Sequence, residues 1–209
     1  MNRNTEVQVS WRGLWLASCN VTLAVLSGLF AYSHLLNFTR YKRVSNLLIV
    51  AKEALDGCFF LVRRAPLRTS KSPYDWIVGI GSTLLPLLLR PVERPYDFFL
   101  GELLQVFGLV LQIIGIISLN RSFGIVAANR GLKTDGLYRV VRHPLYSSYF
   151  LDFLGYLINN LSARNCLILA ATGFFQVQRI FIEEDFLKRD ASYAEYMKRT
   201  RWRLIPFIF

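Results

Sequence analysis

Long apolar runs separated by short polar segments dominate the chain. A helix needs about 20 mostly apolar residues to cross a bilayer, and six segments approach that length. The most uniform runs are 14–37, 98–118 and 165–182. The others are shorter or contain polar residues, and they are 44–62, 75–90 and 144–161. The pattern therefore predicts an all-α fold, a polytopic membrane helix bundle with five or six transmembrane helices.

The segment 44–62 decides between five and six spans, because it contains three charged residues. Lys52, Glu53 and Asp56 would each cost roughly 2.5 to 3.5 kcal/mol at the centre of a membrane helix. Lys52 and Asp56 lie four residues apart, so they share a face of a helix. One interpretation turns the three side chains towards protein, where they partly neutralise one another. The other places the segment on the membrane surface.

Composition and charge agree with a membrane protein. The chain has 209 residues, of which 53% are hydrophobic, and a mean hydropathy of +0.33, which is too apolar for an ordinary soluble domain. Its net charge of +11 comes from basic residues that lie mainly between the apolar runs. That pattern predicts contact with membrane lipids and no nucleic-acid partner. With six spans, most basic residues fall on the side that carries both termini, which the positive-inside rule assigns to the cytoplasm.

A few reactive side chains stand alone within the apolar runs. Cys19, Cys58 and Cys166 are far apart and have no histidine nearby to complete a metal set. We expect these cysteines to be free and buried, and we expect no metal site. For His34, the simplest expectation is a hydrogen bond to a neighbouring helix.

The densest polar cluster stands at the start of a predicted span. In residues 138–146, YRVVRHPLY, Arg139, Arg142 and His143 precede Pro144. Proline suits the first turn of a helix, so the sequence predicts Arg142 and His143 at the electropositive end of that helix, which attracts anions. The alternative is that the arginines mark topology and extend their charged groups to water.

A polar stripe runs along the last predicted span. Gln176, Arg179 and Glu183 recur at spacings of three and four residues, and Glu184 is offset by roughly 100°. Carboxylates at that depth need partners, for which Arg179 and the arginines before Pro144 qualify. The alternative is that both glutamates end the span in water, where Arg179 and Glu183 form a weak pair.

The C-terminal tail alternates aromatic and basic residues. Tyr193, Tyr196 and Trp202 are typical of an interfacial segment that aromatic rings and anionic lipids hold at the membrane. The alternative is that the two tyrosines close a site.

Three of these stretches occur together in a characteristic order. They are GLYRVVRHPLY, RIFIEEDFL, and YAEYMKR with a closing RLIP, and they surround two apolar spans. Together they resemble the isoprenylcysteine carboxyl methyltransferase family, whose members are integral membrane enzymes that use S-adenosylmethionine. The likeness covers residues 119–209. It implies one integrated domain, in which 1–118 is a transmembrane scaffold and 119–209 binds the cofactor in a cytoplasmic pocket.

The resemblance also implies a set of site residues. Catalysis would involve Arg142 and Glu184. The cofactor-binding positions would be Thr134, Gly136, Leu137, Arg142, His143, Tyr146, Glu183 and Glu184. We expect the loop donors to face the acidic pair across a gap the size of a nucleoside. The expected reaction is methyl transfer to a small lipophilic acceptor, on a carboxylate, a thiol or an amine.

Two other functions stay open at this point. One is an NADPH-dependent membrane reductase related to sterol reductases, which share an RHP-type loop. The other is a non-catalytic scaffold that binds lipid. For the enzyme, the sequence favours a bacterial inner membrane, with the active site facing the cytoplasm and a lipophilic substrate beside membrane lipids as partners. The oligomeric state is undetermined.

Overall fold

A computed structural model describes residues 3–62, 68–93, 96–119, 128–129 and 132–209, and only the backbone of residues 3–12, 68 and 128–129. Six helices correspond to the six apolar runs. They are α1 (Arg3–Tyr41), α2 (Val44–Val62), α3 (Pro73–Leu84), α4 (Phe99–Leu119), α5 (Pro144–Asn159) and α6 (Ala163–Leu187). A short helix, α7 (Ala191–Arg199), follows, and two-residue strands β1 (Arg68–Thr69) and β2 (Ala128–Asn129) pair antiparallel. The predicted all-α character is confirmed over the described residues.

Three helices are long and apolar enough to cross a membrane. They are Gly13–Tyr41 within α1, Phe99–Leu119 and Ala163–Leu187. These correspond to the three runs that the sequence marks as most uniform. The chain is therefore an integral membrane protein, whereas the count of five or six spans stays a prediction.

The run at 75–90 is a shorter α-helix than its hydropathy suggests. Ser72 accepts a hydrogen bond from the N–H of Asp75, and Pro73 occupies the first turn of α3. The α-helix ends at Leu84, and residues 85–88 form a 3₁₀ turn. Pro86 explains the change, because it lacks an N–H and its ring clashes with the preceding turn of an α-helix.

Helices α4 and α5 pack along a row of glycines. Gly101, Gly108 and Gly115 recur every seven residues on α4. At Gly108, an added Cβ would lie 2.9 Å from the backbone nitrogen of Asp152 and 3.0 Å from the carbonyl oxygen of Ser148. The two backbones therefore touch, as in other membrane helix pairs built on small residues. Elsewhere α1 packs on α2 and α3 on α6.

The charges of α2 face protein. Lys52, Glu53 and Asp56 are all buried. The Lys52 Nζ donates to Glu53 Oε1 at 2.8 Å and to Asp56 Oδ2 at 3.2 Å, and Gln112 on α4 donates to Asp56 Oδ1 at 2.7 Å. The interpretation that these side chains share a protein-facing side is confirmed, and no lipid contact is required of them.

The buried side chain of Arg43 connects the ends of several helices. The Arg43 Nη2 lies 2.6 Å from Asp97 Oδ1 and donates to the carbonyl oxygen of Asn159 at 2.6 Å. Asp97 also accepts the backbone N–H of Ser45 at 3.0 Å. This anchor connects the start of α2, the segment before α4 and the end of α5.

The structure confirms the prediction for His34 and corrects part of the prediction for the cysteines. His34 Nε2 lies 3.0 Å from the hydroxyl of Tyr156, so the predicted bond between helices is confirmed. The cysteines are free, as expected. The prediction that they are buried is wrong, because Cys58 is exposed and Cys19 and Cys166 are half-buried. A thiol is apolar enough to face lipid, so the hydropathy of a run does not predict its burial.

Candidate active site

A cavity of about 200 Å³ is lined by residues from all seven helices of the described chain. At one end its wall is polar and includes Lys133, Arg142, His143, Tyr146, Arg179 and Glu183. Apolar side chains also line it, among them Leu23, Phe60, Leu87, Leu145 and Phe153. The cavity wall therefore combines polar and apolar surface, and residues of all three membrane-length helices contribute to it.

The polar end is built around the start of α5. Pro144 is the first residue of the helix, as predicted. The backbone N–H groups of Arg142 and His143 donate to the carbonyl oxygens of Trp202 and Arg203 at 2.8 and 2.9 Å. The C-terminal tail thus occupies backbone donors at the electropositive helix end, which the sequence predicted as an anion site.

The side chain of Arg142 donates most of its hydrogen bonds to acceptors within the protein. Its Nε donates to Glu184 Oε1 at 2.6 Å, and both side chains are only 5% exposed. Its Nη1 donates to the carbonyl oxygens of Thr200 and Arg201 at 2.9 and 2.8 Å. One guanidinium therefore connects the loop before α5, helix α6 and the tail.

Glu184 is the centre of this network. Besides Arg142, its Oε1 has His143 Nε2 at 3.2 Å, and its Oε2 accepts a bond from Arg203 Nε at 2.9 Å. The interpretation that both glutamates end the span in water is wrong for Glu184, which is buried. The expected nucleoside-sized gap between Arg142 and Glu184 is also wrong. Opposite charges away from water are stable only when they are closely paired and hydrogen-bonded, and here they touch.

Glu183 belongs to a separate network that faces the cavity. Its Oε1 accepts bonds from the hydroxyl of Tyr146 at 2.7 Å and from Arg179 Nε at 3.1 Å. Arg179 Nη1 also donates to Ser82 Oγ at 3.1 Å. The Arg179 guanidinium carbon lies 5.4 Å from the centre of the Tyr146 ring, which is within cation–π range. This buried arginine lies one helical turn further into the cavity than Glu183.

The structure separates the predicted site residues into two groups. Four of them line the cavity, namely Arg142, His143, Tyr146 and Glu183. The other four are not among its lining residues, namely Thr134, Gly136, Leu137 and Glu184, although the loop neighbours Lys133 and Tyr138 line it. Gly136 has a φ of 61°, which favours glycine. The catalytic and cofactor-binding roles of all these residues stay predictions.

The two tail tyrosines close the cavity. Tyr193 and Tyr196 are buried and line it, so their interpretation as interfacial anchors is wrong. The Tyr196 hydroxyl donates to the carbonyl oxygen of Tyr138 at 2.7 Å. Burial raises the pKa of Tyr196 to about 12, which keeps this hydroxyl a donor at neutral pH. By contrast, Arg139 does not reach the glutamates, because it is exposed and pairs with Asp135 at 3.3 Å.

Sequence reasoning missed how the tail takes part in the site. The carbonyl groups of residues 200–203 and the side chain of Arg203 complete the network around Arg142 and Glu184. The closing RLIP stretch, which begins at Arg203, was the available signal, but backbone acceptors leave no trace in side-chain identity.

Comparisons with known proteins agree with this architecture. The model of the phospholipid methyltransferase family matches residues 96–194. A probable protein-S-isoprenylcysteine O-methyltransferase of Oryza sativa subsp. indica is 32% identical over 137 residues, 60% of this chain and 70% of that protein. Protein-S-isoprenylcysteine O-methyltransferase B of Arabidopsis thaliana is 28% identical over 116 residues, 52% of this chain and 58% of that protein. The Schizosaccharomyces pombe enzyme is 36% identical over 102 residues, 44% of this chain and 43% of that protein.

These matches and the membrane-length helices place the chain in the class of membrane-bound methyltransferases. Within that class, the identity across most of the rice protein places the chain in the isoprenylcysteine carboxyl methyltransferase family. It is accordingly an S-adenosylmethionine-dependent methyltransferase. Methyl transfer, rather than reduction or lipid binding alone, is the activity that the site has to explain.

Replacing Glu184 by glutamine tests the buried ion pair. Glu184→Gln leaves Arg142 buried without its counter-charge, which costs about 3–5 kcal/mol in comparable buried pairs. We expect a clear fall in the thermal unfolding temperature of the detergent-solubilised protein. Glu195→Gln is the matched control, because Glu195 is about half exposed and makes only weak pairs with Lys198 and Arg199. Equal unfolding temperatures for the two variants would contradict the role of the pair.

Proposed function

We propose that this enzyme transfers the methyl group of S-adenosylmethionine to the carboxylate of a lipophilic acceptor, with an S-isoprenylated cysteine as the acceptor class. The names of the relatives supply that class. The observation that carries the choice of a carboxylate is the bonding of the glutamates at the polar end of the cavity, where both oxygens of Glu184 and the Oε1 of Glu183 already accept bonds from protein donors.

The cavity wall has the groups that such a cofactor needs. Lys133 offers a cation for the cofactor's carboxylate, and Glu183 and Asp190 offer acceptors for its ammonium and hydroxyl groups. Tyr193 and Tyr196 add aromatic surface suited to a purine. When bound, the cofactor would supply a methyl group on a positively charged sulfur. The chemistry of the wall therefore fits the cofactor that the family uses.

The bonding of the glutamates favours an acceptor that has no proton to lose. Glu184 accepts bonds from Arg142, His143 and Arg203, and Glu183 accepts from Tyr146 and Arg179. Methylation of a carboxylate forms one C–O bond, breaks one C–S bond and consumes one charge of each sign. It needs alignment and exclusion of water rather than a base. A thiol or an amine would have to release a proton, and both glutamates are held by donors.

Arg179 is the best-placed anchor for the acceptor carboxylate. Its guanidinium is buried, lines the cavity and lies further in than Glu183. A guanidinium binds a carboxylate through a planar pair of hydrogen bonds. Beyond it, Leu87, Leu145 and Phe153 offer an apolar wall for an isoprenoid chain. In this proposal the arginine separates the polar cofactor end from the lipid-like interior.

We also propose that the polar end faces the cytoplasm, in a bacterial inner membrane. Exposed basic residues of α7 and the tail, among them Lys198 and Arg199, lie at that end, in keeping with the positive-inside rule. The short segments between spans suit a bacterial membrane protein.

Cofactor binding is the first test of the proposal. The protein in nanodiscs is expected to bind S-adenosylmethionine and S-adenosylhomocysteine in isothermal titration calorimetry. Glu183→Gln should weaken both affinities about tenfold or more, since a hydrogen bond to a charged group contributes about 1.5–3 kcal/mol. Asp185→Asn removes an exposed carboxylate from the same helix, 72% exposed, and should leave the affinities unchanged. Equal affinities in both variants, or no binding to the unaltered protein, would count against the site.

Acceptor chemistry is the second test. With labelled S-adenosylmethionine, the enzyme should convert N-acetyl-S-farnesylcysteine into a base-labile methyl ester and leave the corresponding carboxamide unmodified. Arg179→Lys should raise the KM for the acid about tenfold, because lysine cannot make the paired contact. Arg139→Lys changes an arginine whose side chain is 75% exposed and serves as the control. Methylation of the carboxamide, or an unchanged KM in Arg179→Lys, would exclude carboxylate anchoring by Arg179.

Orientation can be measured by labelling from one side. In a variant with serine at Cys19, Cys58 and Cys166, a membrane-impermeant maleimide should label Lys198→Cys in inverted inner-membrane vesicles and not in intact spheroplasts. Labelling in spheroplasts would place the polar end on the other side.

A further inference from the structure

The wall of the cavity also contains a charged cluster that the proposed reaction does not use. Lys52, Glu53 and Asp56 line the same cavity as Arg142 and Glu183. The Lys52 ammonium is 2.8 Å from Glu53 Oε1 and 3.2 Å from Asp56 Oδ2. One cation is shared by two carboxylates, so the cluster has an excess of hydrogen-bond acceptors. Ionisable groups inside membrane proteins commonly mark substrate pathways.

An independent observation on another helix points the same way. Gln176 on α6 lines the cavity and is only 3% exposed. Its amide nitrogen donates a long bond of 3.4 Å to the carbonyl oxygen of Ser82, while its Oε1 has no hydrogen-bond partner among the residues that the structure describes. A buried polar atom without a partner is rare in native proteins. In a cavity wall, such an oxygen marks a place where a bound molecule supplies a donor.

We propose that this part of the wall, Gln176 with the charged cluster, is a second recognition subsite for the acceptor, which takes a hydrogen-bond-donating group, a hydroxyl or a protonated amine, carried by its lipophilic part. The inference rests on the proposed function. Gln176 lies three residues before Arg179 on α6, which corresponds to about 4.5 Å along the helix axis. The lipophilic part of an acceptor whose carboxylate contacts Arg179 therefore passes Gln176.

The acceptor oxygens of the cluster exclude other occupants. A second carboxylate or a phosphate would meet Glu53, Asp56 and the carbonyl oxygen of Gln176, all of which repel it. A plain hydrocarbon end would leave the Oε1 of Gln176 without a donor, which is costly for a buried polar atom. A donor group satisfies the free oxygen and is attracted by the excess negative charge.

The buried glutamine on α4 provides a matched comparison. Gln105 also has unpartnered amide atoms among the described residues and is fully buried. It is absent from the cavity wall, whereas Gln176 is part of it. The two residues thus separate the effect of a buried unpaired amide from the effect of an amide that contacts a ligand.

The test uses three probes that share one carboxylate. The first is N-acetyl-S-geranylcysteine. The other two are the same compound with a hydroxyl or a primary amine on the terminal carbon of the geranyl chain. Their affinities are measured by calorimetry on the nanodisc-embedded protein in the presence of S-adenosylhomocysteine. The hydroxyl-ended or the amine-ended probe is expected to bind about tenfold more tightly than the methyl-ended probe, the gain of a hydrogen bond to a buried acceptor. A larger gain for the amine would assign the preference to the charges of the cluster, and a larger gain for the hydroxyl to Gln176.

Variants separate recognition from stability. Gln176→Met keeps the volume and removes the free oxygen, so the preference of the hydroxyl-ended probe should fall to near unity while S-adenosylhomocysteine affinity is unchanged. Gln105→Met should retain the preference. Equal affinities of the three probes for the unaltered protein, no binding of the donor-ended probes, or an unchanged preference in Gln176→Met would overturn the subsite. Loss of S-adenosylhomocysteine binding by the unaltered protein would instead contradict the proposed function.

Discussion

The buried ion pair between Arg142 and Glu184 holds the polar end of the cavity together. Separating the two charges would leave each in a medium of low dielectric constant, where an unpaired ion is strongly destabilising. Because the arginine belongs to the loop before α5, the glutamate to α6 and the remaining acceptors to the tail, the pair fixes three chain segments relative to one another. The shape of the polar end follows from that requirement.

The same constraint decides which groups remain for ligands. Both carboxylate oxygens of Glu184 accept bonds from protein donors. Glu183, Arg179 and Tyr146 form a second network that faces the cavity. The cavity wall thus combines charged side chains near the start of α5 with leucine and phenylalanine side chains. Such a mixed wall suits a reaction between a water-soluble methyl donor and a lipid-borne acceptor, as we propose for this member of the family.

The buried cations Lys52 and Arg43 are both paired with carboxylates. Lys52 is compensated by Glu53 and Asp56, and Arg43 by Asp97. Arg43 and Asp97 connect different segments, and the Lys52 set reaches α4 through the bond from Gln112 to Asp56. The cost of placing ions at membrane depth is thus offset by contacts that also fix helix packing. Gln176 is the contrasting case, since its carbonyl oxygen lacks a partner among the described residues and lies in the cavity wall.

Local chemistry was sufficient to predict much of this protein from its sequence. Hydropathy identified every membrane-length helix that the structure contains among its described residues, Pro144 located the start of α5, and the spacing of Lys52 and Asp56 predicted that they share a face. These properties depend on neighbours in the chain. The direct contact of Arg142 with Glu184, the burial of Tyr193 and Tyr196, and the docking of the tail depend instead on where helices lie relative to one another. That placement comes from packing, such as the close contact of α4 and α5 at Gly108, and from backbone acceptors that side-chain identity does not encode.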